Sequence, residues 1–201
     1  MDMEQMIRAV QQALGIEVDG KAGPQTWSAI VKKVIPAQAT ALTSAPSKGL
    51  DSRSQKNIDT LLPEVRPYAI ALIQKAALSG IKIKVISGLR TYSEQDVLYA
   101  KGRPNDPPKV TNAKGGHSNH NFGIAFDIGV FEGSAYLGES PKYKAVGVLG
   151  MDLGLDWGGN WKSFKDEPHF QLRPSWANGM VEKEMLTELR KRKDNDQAVF
   201  V

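Results

Sequence analysis

Residues 36–48, PAQATALTSAPSK, constrain everything else in this chain. The segment is rich in Pro, Ala, Ser and Thr without apolar periodicity, which is the composition of a linker. The piece before it is too short to bury a core of its own, since chains below ~40 residues usually need outside help, whereas domains commonly run to ~100–150 residues. The main core therefore has to come from the longer piece beyond. We divide the 201 residues into a short helical module at 1–36, a linker at 37–49, a main domain at 50–175, and a C-terminal helix with a frayed tail at 176–201.

Local patterning fills in these pieces. Met6, Ile7, Val10 and Leu14 have the spacing of one helical face, and Gly15 supplies a stop. A turn at Asp19-Gly20 and a proline at the first position of a second helix, Pro24 to Val34, complete the module. Beyond the linker, Ile58, Leu61, Leu62, Val65, Ala69, Leu72 and Ile73 recur at helical spacing, with Pro63 and Pro67 interrupting, so one broken or two short helices are expected. IKIKVI, 81–86, reads as a strand, and TYSEQDVLYA as a helix capped near Thr91 or Ser93. After a glycine- and proline-rich loop at 101–121, Gly123 to Val130 alternates, with Ile124, Phe126 and Ile128 on one face and Ala125 and Asp127 on the other. His169 and Gln171 likewise share one side of a short strand while Phe170 and Leu172 share the other. Two amphipathic strands can thus present Asp127 and His169 to one cleft. From Ser175 a helix is expected to about Lys193, with KRKDNDQAVFV fraying.

Apolar residues at 41% and charged residues at 24% are those of a chain that folds in water. The N-terminus MDMEQMIRAV carries acids where a signal peptide needs a basic start, and no run approaches the ~20 apolar residues of a membrane span. A net charge of +4 and a pI near 9.2 give mild attraction to polyanions and by themselves select none. With no cysteine, a metal site has to use histidine and carboxylate. The three histidines, His117, His120 and His169, all fall in two stretches, SNHNFGIAFD with its upstream GGH and DEPHFQ. Spacing alone leaves two readings open, three ligands of one metal or polar residues of an ordinary fold.

The pattern S-x-H-x-x-G-x-A-x-D, met as Ser118, His120, Gly123, Ala125 and Asp127, resembles the signature of the zinc-dependent peptidoglycan peptidases of the D-alanyl-D-alanine carboxypeptidase and phage L-alanyl-D-glutamate endopeptidase group, peptidase family M15. D-x-P-H-F-Q at Asp166 to Gln171 resembles the endolysin branch, and W-G-G-x-W at Trp157 to Trp161, S-G-x-R at Ser87 to Arg90 and E-Q-x-x-L-Y from Glu94 agree, in family order from Leu50 to Arg173. The resemblance implies an α+β fold of the Hedgehog/DD-peptidase kind, an antiparallel sheet flanked by helices. It also implies Zn2+ on His120, Asp127 and His169, with Asp166 as the catalytic carboxylate and Arg90 orienting substrate or steadying developing negative charge. Glu167 adjoins Asp166, but the family's acid stands three residues before the last histidine, so Asp166 is preferred. Ser87, Gln95, His117, Ser118, Trp157, Trp161 and Glu167 are expected to support the site or touch substrate.

V-D-G-K-A-G-P-Q-T-W-S-A-I, 18–30, is similar to peptidoglycan-binding type 1 domains, with Asp19, Gly20, Gly23, Pro24 and Thr26 building its turn and cap. The expectation is a monomeric endolysin-type peptidase cutting the L-Ala–D-Glu bond of bacterial peptidoglycan. It is made in the host cytoplasm, released through a holin-made lesion, and neither binds nucleic acid nor inserts into the membrane. Its alternatives are a D-Ala–D-Ala carboxypeptidase, and a wall-binding protein with a structural zinc site. A metal-dependent nuclease rests on the pI alone.

Overall fold

The structure is a computed structural model, and its described residues are 2–21, 26, 50–101 and 111–201. The chain divides into two compact units, Met1–Pro46 and Ser47–Val201.

In the first unit α1, Met3–Leu14, is opened by Asp2 in a capping box with Gln5 and ends at Gly15. Gln11 is the buried hub. Its Nε2 donates to Asp19 Oδ1 at 2.6 Å, to the Lys21 carbonyl at 3.0 Å and to Thr26 Oγ1 at 2.9 Å, while its Oε1 accepts from Gly20 N at 2.9 Å. Asp19 and Thr26 therefore build the turn. The hydrogen bonds from Lys21 N and Gln11 hold the Asp19 carboxyl below its ordinary pKa. Gly23, Pro24, the expected helix to Val34 and the linker lie outside the described residues.

The second unit is α+β. The apolar run splits into α2, Ser52–Asp59, and α3, Arg66–Leu78, with Pro67 in the opening turn of α3 where its missing N–H costs nothing. Strand β1, Lys82–Ser87, leads to α4, Tyr92–Ala100, which Thr91 caps in a box with Glu94. Then follow β2, Ala125–Glu132, β3, Ala135–Leu137, α5, Lys142–Asp152, β4, Asp156–Trp157, β5, His169–Gln171, and α6, Glu182–Asp194. Among the described residues the sheet runs β1-β2-β5-β4, antiparallel throughout, with β3 also paired to β2. One face packs on α2, α3 and α5 through Ile58, Leu72, Val85, Phe126, Ile128, Val146 and Phe170. Phe126 and Phe170 stand opposite each other in β2 and β5 with rings stacked 5.9 Å apart, so the alternation read from sequence sets the register here.

The C-terminus differs from expectation. Residues 175–177 form a single 3-10 turn, and Gly179, at φ 81°, breaks the path before α6 begins at Glu182. The tail does not fray: Trp176 Nε1 donates to the Val199 carbonyl at 2.7 Å and Arg192 Nη1 to that of Ala198 at 2.9 Å. Val199 and Phe200 pack on a second cluster of Phe122, Ile124, Met185, Leu186 and Leu189. The apolar end of AVFV has a hydrophobic seat to return to.

Candidate metal centre

The polar face of the sheet carries the centre. His120 lies in a 3-10 turn, Asn119–Phe122, which Gly123 ends in the left-handed region at φ 68°, re-aiming the chain into β2. Asn121 pins this turn, accepting from the Gly116 amide and donating to the Arg90 carbonyl, both over 2.8–2.9 Å. Asp127 and His169 are direct cross-strand partners in β2 and β5. A bulge between Val85 and Ser87 brings Ser87 opposite Asp127 from the other side, the way bulges commonly re-aim side chains near functional sites.

The result is a triangle of donor atoms. His120 Nε2 lies 3.1 Å from Asp127 Oδ1 and 3.3 Å from His169 Nδ1, and His169 Nδ1 lies 3.3 Å from Asp127 Oδ1. Among the described residues these three form the group able to hold a metal ion. The other ring nitrogens fix the tautomers: His120 Nδ1 donates to the Gly88 carbonyl at 2.8 Å, and His169 Nε2 donates to Gln171 Oε1 at 3.0 Å. Each imidazole thereby turns a lone pair toward the carboxylate. Three converging lone pairs repel unless a cation lies among them, and two ligands of a tetrahedral zinc at ~2.0–2.1 Å stand about 3.3 Å apart. The residues fit such an ion. The same crowding shapes the titration: burial opposes ionisation of Asp127, but His120 and His169 outweigh it and hold its carboxyl well below the usual range. Burial likewise opposes a charge on His169, but the Asp127 carboxylate beside Nδ1 favours a second proton on the ring over the bare lone pair and raises its pKa.

Around the triangle opens a cleft of about 840 Å³, lined by Arg90, His117, Ser118, Trp161 and Asp166 among others. Asp166 is on the 158–168 loop, where Gly158 permits the approach, since a Cβ there would stand 2.4 Å from the Asp166 carbonyl. Burial raises the Asp166 carboxyl above its ordinary pKa and Asp127 adds to this, while His169, His120 and Arg90 pull it down. Glu167, next in sequence, is not on the cleft wall; its carbonyl accepts from Trp157 Nε1 at 2.7 Å. Arg90 has its guanidinium on Gln95 Oε1 at 2.7 Å, Ser87 Oγ at 3.0 Å and Asp127 Oδ2 at 3.4 Å, so it braces the carboxylate from the side away from the triangle. Gln95 is fully buried and anchors Arg90 to the Ala113 carbonyl. Trp157 belongs mostly to the core, Trp161 packs its ring 4.9 Å from that of His169, and His117 is exposed at the rim. Sequence reasoning did not single out Asn119, Asn121 or the Gly88 carbonyl. Two of these flank His120 in SNHN, but the Arg90 carbonyl that Asn121 reaches and the Gln171 and Glu182 that Asn119 reaches are remote in sequence.

Residues 111–172 match the peptidase M15 family model described as D-alanyl-D-alanine carboxypeptidase, and residues 2–30 match a putative peptidoglycan binding domain. The peptidoglycan L-alanyl-D-glutamate endopeptidase CwlK of Bacillus subtilis (strain 168) is 37% identical over 127 residues, covering 57% of this chain and 75% of that protein. The chain belongs to the M15 peptidase family. The L-alanyl-D-glutamate peptidase of Listeria phage A118 is 28% identical to this M15 family member over 126 residues, covering 60% of the chain but only 41% of the phage protein. The Serratia marcescens L-Ala D-Glu endopeptidase ChiX superposes with a TM-score of 0.45 at 26% identity, over 60% of this chain and 86% of that one. No helix among the described residues is long and apolar enough to cross a membrane.

Proposed function

We propose that this protein is a zinc-dependent endopeptidase that hydrolyses the L-Ala–D-Glu bond of the peptidoglycan stem peptide. The observation that carries this reading is the convergence of His120 Nε2, Asp127 Oδ1 and His169 Nδ1 on one point in an open cleft, with Asp166 on its wall. His120, Asp127 and His169 would hold the ion, which when bound would supply the Lewis acidity that acidifies a water molecule and polarises a peptide carbonyl. Asp166 takes the proton of the attacking water on its carboxylate and returns one to the departing amine. Its burial, which favours the protonated carboxyl, suits both halves of that exchange, because a carboxyl that holds a proton less reluctantly is a better base in the first step and a usable acid in the second. Arg90 holds Asp127 through Oδ2 so that Oδ1 is turned toward His120 and His169, and it would add positive charge beside the oxyanion that develops on the carbonyl.

The N-terminal unit, whose turn is built by Asp19, Gly20 and Thr26 around Gln11, is a wall-binding module that raises the local concentration of enzyme on an insoluble substrate. The phage relative favours an endolysin that reaches the wall after release from the cytoplasm and lyses the host. The family model's own description favours a second reading, removal of terminal D-alanine. Mass spectrometry of sacculi digested with the zinc-loaded protein separates the two. New N-terminal D-glutamate on the released peptides is the expected result; free D-alanine without it would establish the carboxypeptidase instead.

A further inference from the structure

The hydrogen bond from His169 to Gln171 is one spoke of a closed ring. Asn119 Nδ2 donates to both Gln171 Oε1 and Glu182 Oε1. Glu182 Oε2 accepts from Arg173 Nη2 at 3.0 Å, Arg173 Nε donates to Asp156 Oδ2 at 2.9 Å, and Asp156 Oδ2 accepts from Gln171 Nε2 at 3.4 Å, closing the circuit. The ring joins four pieces of chain: the His120 turn, β4, β5 with the Arg173 that follows it, and the first residue of α6. Its Glu182 and Arg173 fall beyond the 111–172 segment that the family model matches.

The directions of these bonds have a chemical consequence. An amide offers an acceptor at one end and donors at the other, and Gln171 can be inserted either way round. Asp156 is a carboxylate and demands the NH2 end, while Asn119 presents an N–H and demands the oxygen. Asn119 is in turn held with its NH2 toward Gln171 because Glu182 accepts from it, and Arg173 fixes both carboxylates. Gln171 therefore shows its oxygen to His169 Nε2. That position requires a proton on Nε2, which in the neutral ring leaves the lone pair on Nδ1, the atom that points at Asp127 and His120.

We propose that Glu182, Arg173, Asp156 and Asn119 act through Gln171 as positioning residues that lock His169 in its metal-binding tautomer. This rests on the reading of His120, Asp127 and His169 as a zinc site. The C-terminal helix is then part of the machinery: its first residue sets the proton on a ligand that it does not touch.

The test uses full-length protein, zinc affinity by competition with a chromogenic chelator, and 15N imidazole NMR on both metal-free and zinc-loaded samples. Gln171→Leu removes the acceptor and is expected to weaken zinc binding about 10- to 100-fold. Gln171→Glu keeps an acceptor oxygen for His169 Nε2 but faces Asp156 with a like charge, so it is expected to recover only part of that loss. Glu182→Ala, at the half-exposed edge of the ring, is the variant least able to disturb folding. It should weaken zinc binding several-fold and shift the His169 nitrogens of the metal-free protein toward a mixture of tautomers. If Glu182→Ala and Asn119→Ala lower the melting temperature yet leave zinc affinity and the His169 nitrogen shifts at wild-type values, the ring is only a structural tie and the inference is wrong. Wild-type protein that binds no zinc would overturn the metal reading, while the metal-free spectra would still report whether the ring sets the tautomer.

Discussion

Asp166→Ala is expected to bind zinc with wild-type affinity while hydrolysing peptidoglycan about 100- to 10,000-fold more slowly, the range a positioned proton-transfer group contributes. Asp166 is not one of the three converging donors, so its removal leaves the ligand triangle intact. It does line the cleft beside that triangle, and its proton affinity is tuned upward by burial and by Asp127. The neighbouring carboxylate supplies the control. Glu167 is off the cleft wall, with its backbone engaged by Trp157, so Glu167→Ala should turn over near the wild-type rate. Single-turnover assays on labelled sacculi, with zinc content measured in parallel, read both variants. Loss of activity in Glu167→Ala but not in Asp166→Ala would reassign the base.

Asp127→Ala and His169→Ala are expected to fail differently, losing zinc and activity together. Either substitution removes a corner of the triangle and leaves two ligands, one fewer than the three protein ligands that commonly hold a catalytic zinc. Asp127→Ala should be the more severe. Its carboxylate is the only anion among the three ligands, and without it Arg90 would face two imidazoles with no intervening negative charge. Metal content after dialysis, with circular dichroism to confirm that the fold persists, distinguishes this from unfolding. Retention of a full equivalent of zinc by Asp127→Ala would mean that the ion is held elsewhere.

The parts of the site that sequence disclosed are those that follow a local period. Asp127 and His169 fall opposite the apolar residues of their own strands, and pairing Phe126 with Phe170 in the core necessarily puts the two polar side chains together on the other face. The cap of α4 and the interruption between α2 and α3 are likewise short-range; the sequence allows Thr91 or Ser93, and one broken or two short helices, and the structure has Thr91 and two helices. Asp166 is on a loop with no period, so its proposed part as the proton-transfer group rests on the family pattern. The ring through Asn119, Gln171 and Glu182 depends on approaches across more than fifty residues of chain, which no window along the sequence contains. The tail was misjudged because its charged run, KRKDND, outweighed the apolar residues after it, which bury against Trp176 and the second cluster. The short strands β3 and β4 offer two or three residues each, too few to reveal an alternation.

The central claim is that His120 Nε2, Asp127 Oδ1 and His169 Nδ1 share one zinc ion. Crystals of zinc-loaded protein, measured on both sides of the zinc absorption edge, test it most directly. The account predicts one anomalous peak within about 2.0–2.2 Å of all three atoms, facing the cleft that Asp166 lines. A peak bound by other residues, or none at this triangle in a protein that still cuts peptidoglycan, would contradict it.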